Sequence, residues 1–261
     1  MYYSVMMNSY GSSSGGLSSV DNALRLLRLL SSRPSLRVSE AAEELSIARS
    51  TAHRLLSTLR DNGFAVQDRS NSAYRIGGVL TEIGLAAIHR LDVRNAARAP
   101  LEALRDRTGE TVSLSVLEGQ NVRFVDCLEG TLTVRVGDRT GLLLPSSSTA
   151  GGKAMLAALP PGELDLRYPG DRLPALTSVS TVSRDELRRD LELVRRRGYA
   201  LNNQESEQRI SAVGVAVCDV TGSPVGALAI VCPVERFTKA NIEEWVVLLR
   251  DTALVVERSL A

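Results

Sequence analysis

The chain has 261 residues, 44% of them hydrophobic and 23% charged, with a formal net charge of +1. That length suits two domains with a core each, and the composition excludes wholesale disorder and a fibrous architecture. The longest apolar runs, residues 213–217 and 225–232, fall well short of the roughly 20 residues a bilayer crossing needs, so they read as buried strands and no membrane partner is expected. Cys127, Cys218 and Cys232 are odd in number and widely spaced, which argues against a disulfide framework or a CxxC metal site and fits a reducing cytoplasm. Residues 1–16, rich in Ser, Gly and Tyr, lack the basic start and apolar centre of a secretion signal and read as a disordered leader.

The overall charge conceals a basic N-terminal part: residues 17–75 hold nine arginines against six acidic side chains, a net +3. The excess permits phosphate contacts without demonstrating them, so the order of elements has to decide. Apolar residues at 20, 23, 24, 27 and 30 share one stripe, which predicts a first helix. After Pro34 and an extended piece at 36–38, Ala41, Ala42 and Leu45 mark one face of a short second helix. The tight link Ser46-Ile47-Ala48 leads to a third, which opens on small polar and basic residues, buries Leu55, Leu56 and Leu59, and stops at Gly63. Extended pieces at 64–67 and 73–76 flank the turn-forming stretch 68–72 and predict a hairpin. This is the order of a winged helix-turn-helix, mostly α with a β-hairpin wing, whose third helix is shaped for a major groove.

Gly77 and Gly78 separate the wing from a linker helix ending at Leu91, and apolar spacing resumes over 93–104 in the first helix of a second domain. Pro100 predicts a break or kink near Ala99. Alternation over 111–119, 121–130 and 132–141, each closing on a Gly-bearing turn, predicts an antiparallel meander with one face buried. A loop over 142–152, a helix from Lys153 and an irregular Pro/Gly stretch to about Ser183 follow. A charged helix over 184–198, strands at 210–219 and 224–232, and a closing helix over 239–259 complete an α+β domain with a central antiparallel sheet.

Four segments stand in order: LSIARSTAHRLLSTLRDNGF with YRIGGVLTEIG, then RTGETVSLSVLEG, then STAGGKAMLA, then RRRGYALNNQESEQRISAVGVAV with its Gly-Ser-Pro turn. With these the chain resembles the IclR-type transcriptional regulators over nearly its whole length from Val20 onward. The resemblance implies a winged helix-turn-helix that binds double-stranded, pseudo-palindromic operator DNA as a homodimer, dimers often pairing into tetramers. It also implies a C-terminal effector-binding domain with a small-molecule pocket. The expected division is a leader over 1–16, the DNA-binding domain over 17–78, a linker helix over 79–92 and the effector-binding domain over 93–261.

Arg49, Ser50, Thr51, His53 and Arg54 occupy the first turns of the third helix, where Arg forks to guanine and hydroxyls or helix-terminal amides hold phosphate. Arg69 and Asn71 at the wing tip are placed to reach the backbone or minor groove, although polar residues are commonplace at hairpin turns. In the second domain, amides near Ala150 and Gly151 at a helix start suit a carboxylate. Matching the family's motifs residue by residue puts Thr133, Val136, Leu144, Ala150, Gly151, Asn202, Ala212, Ala229 and Val231 on the effector-pocket wall. Some members that bind small hydrophilic acids carry Asp, Cys or Ser where this chain has Asn202, Ala212, Ala229 and Val231. The effector expected here therefore has an aromatic or otherwise hydrophobic body and a carboxylate. Its closure on Ala150 and the strands near Asn202 is expected to shift the domain against the linker helix and so change the spacing of the two reading helices.

No catalytic residue, cofactor or metal is expected. Residues 147–154 look superficially like a phosphate-binding loop, but Ser147 stands where the first Gly belongs and Ala154 where the metal-binding hydroxyl does. His53 and His89 both fall in the first half, away from any nucleophile in the second. Asp126, Glu129, Glu205 and Glu207 offer acid/base pairs with no spacing that marks them out. A sensor or interaction module whose winged helix binds protein instead of DNA is the other open reading, and steep salt dependence of DNA binding separates the two.

Overall fold

The computed structural model describes residues 18–67, 73–89 and 92–261. The leader, the wing tip with Arg69 and Asn71, and residues 90–91 at the foot of the expected linker lie outside these. Packing divides the chain into two units between Ala87 and Ile88.

The first unit contains α1 (Ser18–Ser32), α2 (Val38–Leu45), α3 (Arg49–Asp61) and a two-stranded wing, β1 (Ala65–Val66) with β2 (Arg75–Ile76). Helix α4 (Gly78–His89) follows. Leu26 and Leu30 of α1, Leu45 of α2 and Leu56 of α3 meet in one core with Leu36 and Tyr74. Local chemistry sets the helix ends. The Arg37 amide donates to Glu40 Oε2 at 2.7 Å, which satisfies one orphan donor at the start of α2. Helices α2 and α3 both end in a left-handed residue, Ser46 (φ 53°) and Gly63 (φ 76°). Past these the Ile47 amide reaches Ala42 O at 3.0 Å and the Phe64 amide reaches Leu59 O at 2.8 Å, the wrap-around bonds that stop a helix. A Cβ at Gly77 would lie 2.1 Å from Gly63 O, so only glycine lets the wing return this close to the end of α3.

The second unit opens with α5 (Asp92–Thr108), a single helix that contains Pro100, so of the break or kink expected near Ala99 the break does not occur. Proline removes one helical hydrogen bond, but Val93, Ala97, Leu101 and Leu104 bury one face against the sheet, and that packing holds the helix together. Six antiparallel strands follow in the spatial order β5-β4-β3-β8-β7-β6. They are β3 (Thr111–Glu118), β4 (Asn121–Leu128), β5 (Leu143–Pro145), β6 (Ala200–Asn203), β7 (Ile210–Cys218) and β8 (Pro224–Pro233). Helices α6 (Ala150–Ala158), α7 (Glu163–Arg167), α8 (Arg184–Arg197) and α9 (Lys239–Leu260) complete the unit.

Three expectations need correction. The alternating stretch 132–141 is not a strand: Leu132 and Val134 are exposed and have no face to bury, and it is β5, expected as loop, that pairs with β4. Helix α6 begins at Ala150, three residues ahead of Lys153, because Thr149 caps it by accepting from Gly152 N at 3.1 Å. Nor is the sheet half-solvated. One face, with Val112, Leu114, Val213, Leu228 and Ile230, packs on α5 and α9. The other carries Ser113, Ser115, Ala212, Gly214, Ala227 and Ala229 in register across β3, β8 and β7. These small side chains let α6 settle on the sheet: a Cβ at Gly214 would stand 3.0 Å from Gly151 N.

Candidate functional site

At the DNA-binding end, Arg49, Ser50, Thr51, His53 and Arg54 are all exposed, while Ala52, Leu56 and Leu59 of the same helix are buried. Helical periodicity thus separates a core face from a polar one. Among the described residues neither the Arg49 nor the Arg54 side chain has a hydrogen bond or ion pair, whereas Arg60 is held by Asp61 at 2.8 Å. Ala48 sits at the N-cap and offers no side-chain acceptor. Alanine is among the poorest caps, so the first-turn amides of α3 stay open to solvent, as phosphate binding requires. Ala48→Asp is therefore expected to stabilise the unit by about 0.5–2 kcal/mol while weakening DNA binding. Thermal melts and DNA titration of the same variant check both signs.

In the second unit a small cavity of about 20 Å³ lies between the N-terminus of α6 and the Ser/Ala face of the sheet. Of the nine residues expected on its wall, Ala150, Gly151, Asn202, Ala212, Ala229 and Val231 line it. Val136 belongs to the same apolar cluster as Ala150, Ala212, Ala229 and Val231. Leu144 packs instead with Val122, Phe124, Met155 and Ala227, and Thr133 is exposed. Sequence reasoning missed Ser113, Ser115, Phe124, Arg139, Thr149 and Ser206, which also line the cavity. The serines were legible as the polar half of the β3 alternation, but alternation does not say what covers the second face.

The polar equipment is distributed around this space. Thr149 takes up the Gly152 amide through its side chain and the Lys153 amide through its carbonyl at 2.9 Å. The preceding amides, Ala150 and Gly151, have no acceptor among the described residues. The hydroxyls of Ser113 and Ser115 likewise make no hydrogen bond there. Asn202 is fixed: its Nδ2 donates to Ser206 Oγ at 2.7 Å and its Oδ1 accepts from Glu205 N at 2.7 Å. Behind it, buried Lys153 donates from Nζ to Glu205 Oε1 and to Asp190 Oδ2, each at 2.8 Å.

The four carboxylates considered for acid/base work are each committed to a cation: Asp126 to Arg98 at 3.0 Å, Glu129 to Arg135 at 2.8 Å, Glu205 to Lys153 and Glu207 to Arg139 at 2.7 Å. Burial pushes the Cys127 and Cys232 thiols up to about 11 and about 12, so neither is a thiolate nucleophile near neutral pH. Among the described residues no helix is long and apolar enough to cross a membrane.

A helix-turn-helix unit joined to an α+β unit with a small, mixed polar and apolar cavity fits one class, the effector-binding transcription regulators. Family comparison agrees with it. The IclR helix-turn-helix domain matches residues 19–69, and the C-terminal domain of the bacterial transcriptional regulator IclR matches residues 85–258. The chain is 31% identical over 245 residues to the HTH-type transcriptional regulator XynR of Escherichia coli, covering 94% of this chain and 97% of that protein. It superposes on the crystal structure of the Thermotoga maritima IclR with a TM-score of 0.78 at 31% identity, covering 94% of this chain and 99% of that one. An IclR homolog from Microbacterium hydrocarbonoxydans, crystallised with 4-hydroxybenzoate, shares the fold with a TM-score of 0.79 at 24% identity, covering 93% and 98% of the two chains. The chain belongs to the IclR family: it is a DNA-binding transcription regulator with an effector-binding domain, not an enzyme.

Proposed function

We propose that the protein acts in the cytoplasm as a homodimer, or a pair of dimers, placing two α3 helices on a pseudo-palindromic operator. In this reading residues 79–92 form the linker, and a carboxylic acid with an aromatic or otherwise hydrophobic body alters DNA affinity from the cavity of the second unit. The observation that carries the effector class is the wall itself. Phe124, Ala212, Ala229 and Val231 supply apolar surface, while the spare amides of Ala150 and Gly151 and the Ser115 hydroxyl supply a few convergent donors, the usual balance of a small-molecule site. That the Microbacterium homolog holds 4-hydroxybenzoate agrees with an aromatic acid on this fold.

A cavity of about 20 Å³ has room for about one water, so an aromatic guest has to displace part of the wall. In this reading the connection between β4 and β5, residues 129–142, is the side that yields; it contains no helix or strand. A ligand that binds the opened arrangement better shifts the equilibrium by its differential affinity, and coupling of about 1–3 kcal/mol changes DNA affinity roughly 5- to 150-fold.

Thermal-shift titration tests the effector class. Benzoate and 4-hydroxybenzoate are expected to stabilise the full chain, by about 2.7 kcal/mol at a hundredfold excess over Kd. Stabilisation by glyoxylate alone, with none by the aromatic acids, would reject the reading. Gly151→Ala is the matching control. Its Cβ would lie 2.7 Å from Ser115 Oγ and 3.3 Å from Ala227 Cβ, filling the cavity, so the ligand-induced shift should vanish while DNA binding persists.

A further inference from the structure

We infer that Arg139 is the specificity-determining anion anchor of this cavity, and that the effector's carboxylate competes with the carboxylate of Glu207 for its guanidinium. The inference rests on the reading above that the cavity receives a carboxylic acid, and adds the residue that selects for the charge.

Arg139 stands in the β4–β5 connection, is 8% exposed and lines the cavity. A guanidinium carries five N–H donors and stays charged, so burying it with few partners is unfavourable. Among the described residues its side chain makes a single hydrogen bond, Nη2 to Glu207 Oε2 at 2.7 Å. The Glu207 side chain is 43% exposed, so the partner is a half-solvated acid that water can take over at little cost. The other acids nearby are not available: Asp126 is bound by Arg98, Glu129 by Arg135, and Asp138 accepts from Thr140 N and Oγ1. A nearly buried, fork-shaped cation with a single protein partner thus lines the same small space as Ala150 and Gly151. One carboxylate there receives the fork on one side and the helix amides on the other, the bidentate geometry in which arginine excels.

Glu207 sits in the loop between β6 and β7, whose ends, Gln204 (φ 62°) and Arg209 (φ 64°), are both non-glycine residues in the left-handed region. Its neighbour Ser206 lines the cavity and is tied to Asn202. Release of Glu207 therefore frees a strained loop that already touches the ligand site, which gives the exchange a mechanical consequence.

Calorimetric titration of the full chain with benzoate and its neutral isostere benzamide tests this. Wild-type protein is expected to prefer benzoate by about tenfold or more, as a charge-assisted fork implies. Arg139→Gln should abolish that preference by weakening benzoate and leaving benzamide unchanged. Glu207→Gln keeps the anchor and removes its internal competitor, so it should tighten benzoate. An unchanged benzoate-to-benzamide ratio in Arg139→Gln, or weaker benzoate binding in Glu207→Gln, overturns the inference. If benzoate and benzamide bind equally well to wild-type protein, the aromatic reading survives and the Arg139 anchor fails. If glyoxylate alone binds, and does so through Arg139, the anchor stands and the aromatic reading fails. Binding of none of the three overturns both.

Discussion

Replacing Lys153 with methionine is expected to destabilise the C-terminal unit by about 3–5 kcal/mol, the cost of removing one partner from a buried ion pair. Lys153 is 2% exposed, and its Nζ is the shared partner of Glu205 and Asp190. Methionine keeps the apolar stem but leaves Glu205 with no cation and Asp190 with only Arg197, at 4.0 Å. The triad is not itself a large source of stability, since desolvating three charges offsets much of their attraction. What it does is fix geometry, tying α6 to α8 and to the loop that carries Glu205 and Ser206. Urea unfolding followed by the fluorescence of Trp245, the single tryptophan, which lies in the core between α9 and the sheet, reads this unit alone. Lys153→Met combined with Glu205→Gln should recover part of the loss, because the carboxylate that depends on Lys153 alone is then neutral. A loss below about 1 kcal/mol in the single variant would mean that water reaches the site and that the pair behaves as a surface one.

Arg54→Ala is expected to lower specific DNA affinity by about 1–3 kcal/mol, roughly 5- to 150-fold, with no change in unfolding. The separation of the two effects follows from its surroundings. Arg54 is exposed on the second turn of α3, and no described residue holds its guanidinium, so the fold does not depend on it. Its truncation leaves the buried face of α3, Ala52, Leu56 and Leu59, untouched. If Arg54 reads a guanine, the loss concentrates on the cognate site; if it holds a phosphate, the loss is uniform and the salt slope falls by about one. Unchanged operator binding would remove Arg54 from the interface.

The first unit was legible because its punctuation is local. Pro34, the left-handed stop at Gly63 and the three-and-four spacing of leucines each act within a few residues, and they place α1, α2 and α3 within about two positions. The second unit was less so, because its decisive interactions are distant in sequence. Pro100 looked like a break, yet the sheet stabilises α5 through it. The stretch 132–141 alternates as a strand should, but of its apolar residues Leu132 and Val134 meet solvent and only Val136 turns inward, while the three-residue β5 pairs with β4 and carries no signal of its own. Strand β6 and the short α7 were passed over for the same reason.

The pocket divides along the same line. Positions carried by the family pattern, such as Ala150, Gly151 and Asn202, come together, whereas Arg139, in a segment without regular structure, gave no warning of its inward position. Ser113 and Ser115 read as the solvent side of a strand and instead face α6. A sequence shows that a sheet has two unlike faces; only the packing shows that the second is also covered, and by what.

Fluorescence anisotropy of the full chain on a labelled duplex from its own upstream region, repeated between about 50 and about 200 mM salt, tests the central claim most directly. If α3 grips DNA, affinity falls by roughly a thousandfold or more across that range, and a saturating aromatic acid changes it further. Binding that ignores salt, or that is as tight with the open face of α3 disabled by Arg49→Ala and Arg54→Ala together, would contradict the account.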